Sequence, residues 1–533
     1  TMKDKSKICG IIIYVSMDYE EKKRRQLVRV VIAEAGMVIS VIAIVVVATM
    51  VAMGFFISDK GTIEQSGLIQ LRSLPTGATV ELDGATLFAR TNLQRSVAPG
   101  EHHLKLSRDG YDTWEKNIKM APGVLMRIYY PRLFLLDRKA EQVLTLGAQG
   151  ASDGAQLGNQ LEFYLSSKDR NYILYALNDA AEWRILGLRG DEVKETILDL
   201  SGILPGMVTQ PEDKYKKEQQ NGEKAPSYRF EGTVEKMVWS ENNEKVLVRV
   251  KVAEETSWIL VNLRDVAKSL NLTKSFGLKF DQVTMIDSSA NQLYALENQQ
   301  LRKINTADES MSKVLLDKIA TFVNYEGNLV YLSPVRESRA KDGTMVQEVG
   351  VYRDGEAGST IIKTITGETS VKIALARYYN EDYICYTEGS ELNIIYGNFP
   401  SYRPEGANLE ELKELVSKKA LAVVPDILEV SPDDDYVVAK KGAQFMVTDL
   451  EMGDVYEYEA EATEIKWLDD SMMFAVRNKE IIVWDFDHSN LRNLGGENVV
   501  DRAVTITENG RYMYYLVENK KGTLDLTREK IRN

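Results

Sequence analysis

Few residues in this chain have the types and spacing needed for hydrolytic chemistry. His488, in WDFDHSN, is the only histidine after residue 135, so a Ser-His-Asp triad in that region would have to use it. Asp485 and Asp487 lie beside it, but a histidine next to aspartates in a turn is common on protein surfaces. No P-loop or dinucleotide-binding fingerprint leads from a strand into a helix. We therefore predict no catalytic residue, no cofactor-binding residue and no cofactor.

Carboxylates are abundant because 79 Asp and Glu residues outnumber 66 Lys and Arg residues. Asp433, Asp434 and Asp435 share one predicted turn, and Asp469 and Asp470 share another. With backbone carbonyls such turns bind Ca²⁺, although aspartate also favours β-turns for its own hydrogen bonding. The EF-hand spacing is missing, and no carboxylate pair stands out as that of a glycosidase. We predict no metal site and keep calcium as the alternative.

The remaining metal-binding residue types are sparse. His102 and His103 are adjacent in a predicted strand, so their side chains point to opposite faces and do not chelate one metal together. Cys9 and Cys385 lie on opposite sides of a long apolar run, which excludes a disulfide framework and a zinc cluster built from cysteines. Cys385, in YICYT, is interpreted as a small buried hydrophobe.

The apolar run at residues 35–57 contains 23 residues and no charge. At about 1.5 Å per residue it is long enough to cross a bilayer, so we predict a transmembrane helix. A cleaved signal peptide is the main alternative, but its apolar region is usually shorter. The basic stretch EKKRRQLVR before the run predicts that residues 1–34 form a cytoplasmic tail and that most of the chain is extracytoplasmic. The net charge of −13 argues against a nucleic-acid partner.

A polar linker is expected at 58–66, followed by a small β-sandwich at 67–135. Apolar and polar residues alternate in LIQLRS, ATVELDG and HHLKLS, while PTG, DG and APG mark turns. The ordered features GLIQLRSLPTGATVELDG, APGEHHLKL and DGY resemble the PEGA family of prokaryotic surface domains. The tetrapeptide PTGA, Pro75–Ala78, has Thr76 where glutamate is usual. The resemblance implies a stiff module near the membrane and supplies no catalytic residue.

A loose repeat of strand, polar turn and apolar strand fills residues 136–533. Its eight copies lie at 165–177, 238–250, 285–296, 323–333, 378–387, 429–440, 466–477 and 506–516. Several copies continue into another apolar strand, which is the pattern of a β-propeller blade. Trp239-Ser240 and Ser431-Pro432-Asp433 resemble the turns of Tol-type and WD-repeat-like propellers. The fold is thus predicted to be mainly β, with eight blades, or seven as the alternative, and residues 133–146 are expected to close the last blade.

Two insertions interrupt the repeat. Residues 205–230 are polar and lysine-rich, which indicates a mobile loop. Residues 400–425 include 408–423, NLEELKELVSKKALAV, which we predict to be a helix because its leucines share one face. That face is expected to pack on the propeller, or alternatively to dock a partner helix. A helical turn is also expected within 263–276.

These features predict a non-catalytic, membrane-anchored scaffold or binding module of a prokaryotic cell surface. Its propeller is expected to contact protein, peptide or glycan, since no nucleophile or cofactor motif stands out. One alternative is a carbohydrate-active hydrolase or lyase that uses carboxylates of the propeller channel. Another is an extracytoplasmic sensor, although a short inner tail contains no signalling domain.

The residues before Met17 have no clear pattern, while DYEEKKRRQ after it reads as an ordinary cytoplasmic tail. We therefore expect Met17 to be the natural start and residues 1–16 to come from an over-extended reading frame. The alternative is that IIIYV, residues 11–15, is a genuine β-like or interfacial segment. Intact-mass measurement of the native protein checks this, and a mass that places the N-terminus at Thr1 would exclude it.

Overall fold

The computed structural model describes residues 3–57, 61–146, 161–177, 182–189, 192–209, 228–338, 343–402, 416–460, 465–519 and 523–533. The chain divides into two compact units. The first comprises Thr1–Arg108 and Thr113–Pro131, and the second comprises Asp109–Asp112 and Arg132–Asn533. Strands dominate the second unit, whereas the first combines one long helix with a set of short strands.

The first unit begins with helix α1, Lys3–Ala52. Its part from Lys22 to Ala52 is long and apolar enough to cross a membrane or to act as a signal sequence. The prediction of helix up to residue 57 is wrong for the last five residues. Gly54 adopts φ +81°, a left-handed conformation that reverses the chain. Strand β1, Phe55–Ile57, then pairs with β2, Ile63–Gln65, inside the predicted linker.

The rest of the first unit is a β-sandwich. Its strands are β3 (Gly67–Leu71), β4 (Thr79–Leu82), β5 (Ala85–Thr86), β6 (Leu93–Val97), β7 (Gly100–Ser107), β8 (Trp114–Met120) and β9 (Leu125–Ile128). One sheet has the order β6-β3-β9 and the other β5-β4-β7-β8. Leu71, Leu106 and Trp114 are almost completely buried between these strands. The alternating pattern of the sequence thus produces two half-buried sheets that cover each other.

The PTGA segment is held by hydrogen bonds. The amide of Ala78 donates to Oγ1 of Thr91 at 2.9 Å, and this hydroxyl lies 2.6 Å from Oγ of Ser73. All three residues are buried. These bonds fix the buried end of the segment between the strands, while Thr76 in its middle is exposed.

Within the described residues, the second unit contains eight sheets of four strands or more, which agrees with the prediction of eight blades. In each blade we call the strands A to D in the order in which they pair, which is also the chain order except in blade 8. Blade 1 has β11 (Leu161–Ser166), β12 (Tyr172–Leu177), β13 (Glu182–Gly187) and β14 (Lys194–Leu198). After the hairpin of β15 (Met207–Thr209) and β16 (Tyr228–Phe230), blade 2 has β17 (Thr233–Trp239), β18 (Lys245–Val252), β19 (Glu255–Asn262) and β20 (Leu270–Asn271). Blade 3 has β21 (Gln282–Met285), β22 (Gln292–Glu297), β23 (Gln300–Asn305) and β24 (Ser310–Met311).

Blade 4 has β25 (Thr321–Tyr325), β26 (Asn328–Leu332), β28 (Met345–Arg353) and β29 (Thr360–Thr366), with the short β27 (Arg336–Glu337) added. Blade 5 has β30 (Ile373–Tyr378), β31 (Glu381–Glu388), β32 (Glu391–Gly397) and β33 (Val416–Ala420). Blade 6 has β34 (Ile427–Val430), β35 (Tyr436–Lys441), β36 (Gln444–Asp449) and β37 (Val455–Glu459). Blade 7 has β38 (Lys466–Trp467), β39 (Met472–Arg477), β40 (Glu480–Asp485) and β41 (Arg492–Gly495). Blade 8 has β42 (Val499–Ile506), β43 (Tyr512–Glu518) and β44 (Leu524–Lys530), and its fourth strand is β10 (Ala140–Leu146).

The predicted insertions differ in outcome. Val416–Ala420 is strand D of blade 5, so the helix predicted at 408–423 is wrong there, because pairing with β32 outweighs the local helical pattern. The earlier part of that prediction, 408–415, lies outside the described residues. The central part of the 205–230 loop, 210–227, also lies outside them. A helical turn does occur within 263–276, as α2 at Leu272–Phe276, whose N-terminus is capped by Asn271.

Strands B and C of the blades are apolar runs because neighbouring blades cover both of their faces. In β35 the residues Tyr436–Ala439 are all buried, and in β36 so are Phe445–Thr448. A strand buried on both faces has no reason to alternate apolar with polar residues. This explains why the repeat is visible as short apolar blocks between polar turns.

The ring is closed by β10. This strand precedes blade 1 in the chain but pairs with β44 of blade 8, which confirms the closing strand expected within 133–146. Leu146 joins a buried cluster with Tyr164 of blade 1 and Tyr514 of blade 8. The hydroxyl of Tyr164 lies 2.8 Å from that of Thr505 in the same interface. The closure thus combines strand pairing with a packed interface between the first and last blades.

We expect the closure to contribute strongly to stability. Leu526 of β44 is completely buried in this cluster, whereas Leu491 in a turn is 54% exposed. Leu526→Ala should lower the free energy of unfolding by about 2–5 kcal/mol, because it leaves a cavity, and Leu491→Ala should have little effect. Thermal unfolding of the full chain in detergent measures both. Equal shifts in the two melting temperatures would contradict a special role for the closure.

Candidate functional site at the A–B turns

The A–B turns of the propeller gather at one end of its channel. In an antiparallel four-stranded blade, the A–B and C–D connections lie at one end and the B–C connection at the other. Because strand A is innermost in a propeller blade, the A–B turns surround the channel mouth. This end therefore combines side chains that are distant in sequence.

Several of these turns use the same local chemistry. A side-chain oxygen at the end of strand A accepts a hydrogen bond from the amide five residues later. The pairs are Ser167/Tyr172, Ser240/Lys245, Asp287/Gln292, Ser431/Tyr436 and Thr507/Tyr512. Each of these bonds fixes the conformation of its turn. It replaces a backbone hydrogen bond of the kind that pairs two strands. The Trp239-Ser240 and Ser431-Pro432-Asp433 matches noted in the sequence are two examples of this turn.

Ionic contacts link turns of different blades. Nζ of Lys168 in blade 1 lies 3.1 Å from Oε1 of Glu241 in blade 2. Nη1 of Arg170 in blade 1 lies 3.0 Å from Oδ1 of Asp470 in blade 7, although blade 8 intervenes in the ring. Asn171 donates to Glu508 of blade 8 at 3.0 Å. These contacts bring polar side chains of four blades to one place.

Blade 6 supplies the carboxylates that complete the group. Asp433 interacts electrostatically with Arg170 and Asp470, and Asp434 interacts with Lys168 and Glu241. We call these six residues, Lys168, Arg170, Glu241, Asp433, Asp434 and Asp470, the turn cluster. Its formal charge is negative, since four carboxylates face two cations.

Two aspartates of the same turn hold their protons unusually tightly. Desolvation by the surrounding protein, the charge of Asp470 and a hydrogen bond to it raise the pKa of Asp433 to about 6. Burial, with the negative charges of Asp433 and Asp449, raises the pKa of Asp435 to about 7. Burial also raises the pKa of Asp434, although that carboxylate accepts a hydrogen bond from the amide of Arg377. The site can therefore donate and accept protons near neutral pH.

Asp469 serves a different purpose from its neighbour Asp470. It is buried, and its Oδ2 lies 2.9 Å from Nε of Arg132. Its other carboxylate oxygen accepts hydrogen bonds from the backbone amides of Ser471 and Met472. Despite its burial, the charge of Arg132 and the amide bonds lower its pKa. Asp469 therefore fixes its turn and does not belong to the open cluster.

The other sequence candidates have structural contacts. The ring of His488 stacks on Tyr458 and meets Trp484 edge-on, and burial lowers its pKa. Ser489 beside it donates its hydroxyl to Asp487 at 2.6 Å, not to the histidine. Cys385 is completely buried, and desolvation raises the pKa of its thiol to about 12, as expected for a small hydrophobe.

The two adjacent histidines of the sandwich have separate partners. The ring of His102 bonds to Asp83 and to the carbonyl of Ala98, while the ring of His103 lies 3.7 Å from Glu115. Across the described part of the chain, no group of three or more His, Cys, Asp or Glu side chains is arranged to hold a metal ion. Among the calcium candidates, Asp433, Asp434 and Asp470 instead lie close to basic side chains.

Sequence reasoning named the three aspartates of the turn cluster but missed Glu241 and both basic residues. Arg170 occupies a left-handed position, φ +57°, three residues after Ser167, and Asp434 occupies the equivalent position, φ +64°, after Ser431. The turn pattern shared by these two stretches of sequence could therefore have identified Arg170 as a residue equivalent to Asp434. That Arg170 meets Asp470 of blade 7 depends on the order of the blades around the ring, which the local pattern does not give.

With this geometry described, the sandwich can be compared with known domains. Residues 66–131 match the PEGA domain family. The match coincides with the sandwich strands β3–β9 and covers a minor part of the 533-residue chain. No curated protein was found to match the chain.

Solved structures, among them a β-propeller domain, resemble this chain at low sequence identity. Apo AztD from Citrobacter koseri is 9% identical over 79% of this chain and 96% of its own, with a TM-score of 0.36. The β-propeller domain of Cps50 (Swd1) from Myceliophteria thermophila is 10% identical over 73% of this chain and 99% of its own, at 0.35. Oligogalacturonate lyase from Vibrio parahaemolyticus is 11% identical over 55% and 88%, at 0.34. None of these likenesses bears on what this chain binds or catalyses.

The raised pKa of Asp435 gives a pH-dependent stability. Because its folded pKa of about 7 exceeds the ordinary 3.8, the folded state binds more protons between these values, and stability falls as pH rises through this range. Asp435→Asn removes this loss, so it should stabilise the propeller at pH 8 by on the order of 1 kcal/mol and by much less at pH 4.

Melting temperatures of the full chain at the two pH values test this expectation. Asp501→Asn, at an exposed position of blade 8, is the matched control. If Asp435→Asn raised the melting temperature by the same amount at pH 4 and pH 8, ionisation of Asp435 would not be the cause of the stabilisation.

Proposed function

We propose that this chain is a membrane-anchored binding or scaffold protein of a prokaryotic cell surface. Helix α1 is its anchor, its N-terminus is cytoplasmic, and the sandwich and propeller are extracytoplasmic. A PEGA domain and a propeller both fit a binding or scaffold role. The partner in this proposal is a protein, peptide or glycan, recognised at the A–B end of the propeller.

The turn cluster is the observation that carries this proposal. Turns from blades 1, 2, 6 and 7 place cations and carboxylates beside each other at one channel mouth. A mixture of charged donors and acceptors on a rigid ring suits polar recognition. The turns are fixed by their own hydrogen bonds, so binding costs little additional ordering.

A second candidate function is carbohydrate cleavage by the channel carboxylates. It is favoured by the hydrogen bond between Asp433 and Asp470, which helps to hold a proton on Asp433 up to a pH of about 6. A carboxyl group in this state is suited to act as a general acid. The binding function and the cleavage function can be distinguished by measurement, since only cleavage produces turnover of a carbohydrate.

The test uses the full chain in lipid nanodiscs, screened against cell-wall glycans and peptides. For a ligand that binds, Lys168→Ala should weaken affinity by about 3–10-fold, because it removes a cation of the turn cluster. Lys251→Ala is the matched control, since Lys251 also forms an exposed ion pair, with Glu254, but at the B–C end of blade 2.

Three outcomes are distinguishable. Saturable binding weakened by Lys168→Ala alone supports recognition at the A–B end. Equal weakening by both variants contradicts that location. Product formation that is lost in Asp433→Asn would replace the binding proposal with the enzymatic one.

A further inference from the structure

Four tyrosines form a row across the A–B end of blade 5. The ring centroids of Tyr379 and Tyr378 are 4.8 Å apart, those of Tyr378 and Tyr383 are 6.3 Å apart, and those of Tyr383 and Tyr396 are 5.9 Å apart. Tyr378 ends strand A, Tyr379 lies in the A–B turn, Tyr383 lies in strand B and Tyr396 in strand C. The row, which we call the tyrosine track, thus runs outward from the channel side of the blade.

The two ends of the track are open and its middle is fixed. Tyr379 is 61% exposed and Tyr396 is 40% exposed, whereas Tyr383 is buried. The hydroxyl of Tyr378 donates to Oε2 of Glu451, in the C–D turn of blade 6, at 2.7 Å. The half-buried ring of Tyr378 and the buried ring of Tyr383 therefore support two aromatic surfaces that face solvent, so ligand binding there requires little additional ordering of side chains.

The backbone at Tyr379 is unfavourable for a tyrosine. Tyr379 has φ +47° and Asn380 has φ +65°, so both central residues of this two-residue hairpin are left-handed. Such turns favour Asn, Asp or Gly, because a bulky side chain is strained there. Burial does not compensate for this strain, since the ring is exposed. Backbone strain that is not offset by packing of the side chain is a feature of ligand-binding positions.

The charges around the track are mainly negative. Glu381, Glu451 and Asp435 act electrostatically on Tyr383 or Tyr378. Glu381 is exposed and has no ion-pair partner among the described residues. The basic side chain of this turn, Arg377, is paired with Asp382 at 2.9 Å. An exposed aromatic face near the exposed carboxylate of Glu381 is complementary to a cation and not to an anion.

We propose that the tyrosine track binds lysine or arginine side chains of an extended segment of a partner polypeptide. This rests on the proposed binding function and adds the chemistry of the partner. The ammonium or guanidinium group lies on the face of Tyr379 or Tyr396, and Glu381 pairs with its charge. The two open rings lie three ring-to-ring steps apart, so a single small cation contacts only one of them. Same-face side chains of a strand recur about every 6.6 Å, so an extended segment can place one side chain on each open ring.

The test measures binding of a fluorescent octa-arginine peptide to the full chain in nanodiscs of neutral lipid, so that the bilayer does not attract the probe. Saturable binding is expected. Tyr379→Ala and Tyr396→Ala should each weaken it by about 5–20-fold, while Tyr379→Phe should retain it within about 3-fold because the ring remains. Glu381→Gln should weaken it by about 3–10-fold.

Two variants control for unspecific attraction to an acidic protein. Phe88→Ala removes an aromatic ring that is fully exposed on the sandwich, and Glu254→Gln removes an exposed carboxylate at the B–C end of blade 2. Neither should change the affinity. Melting temperatures of all variants show whether a loss reflects unfolding, and Tyr379→Phe keeps the test valid if Tyr379→Ala is unstable.

Several results would overturn the proposal. One is octa-arginine binding that is weakened equally by the controls and the track variants. Another is tyrosine-dependent binding of a neutral oligosaccharide, such as cellohexaose, without binding of octa-arginine, which would make the track a sugar platform. A third is binding of neither probe. In all three cases the binding function proposed above stands or falls separately, through Lys168→Ala with its own ligand.

Discussion

The pairing of β10 with β44 is the contact on which the second unit depends. It joins residues 140–146 to residues 524–530, so that a strand placed before blade 1 completes blade 8. Without it, blade 8 has an open edge and the interface containing Tyr164, Tyr514 and Leu146 loses its covering strand. Contacts that are this distant in sequence form late and slowly, because a long loop must close before they contribute. The ring therefore depends on a contact between the two ends of the unit, although its blades are local repeats.

Ring closure also determines what the A–B end contains. Arg170 of blade 1 reaches Asp470 of blade 7, and Lys168 acts on Asp434 of blade 6, because the ring places these turns around one channel. The raised pKa values of Asp433 and Asp435 follow from this crowding of carboxylates. Together with the tyrosine track of blade 5, they make this end polar, acidic and rigid. The binding function and the cationic partner proposed for it both derive from that combination.

Most of the architecture was predictable from local patterns. All eight repeats correspond to strands A and B of a blade, and the short apolar blocks correspond to strands covered on both faces. The helix predicted at 408–423 was wrong at Val416–Ala420, because amphipathic spacing there competes with an open strand edge that offers β pairing. The apolar run ends as a helix at Ala52, because Gly54 reverses the chain before β1. Both errors concern elements whose conformation is decided by a partner strand.

By itself, the sequence determined a long apolar N-terminal helix, a PEGA-type sandwich and an eightfold repeat of hairpins. These depend on side-chain period, turn residues and hydrophobicity, which act between neighbours in the chain. Only the tertiary structure decided that Arg170 meets Asp470, that Asp469 is a buried partner of Arg132, and that four tyrosines of one blade form a row. The physical reason is that charge pairing and desolvation depend on distance in space, and closure of the ring sets those distances between residues hundreds of positions apart.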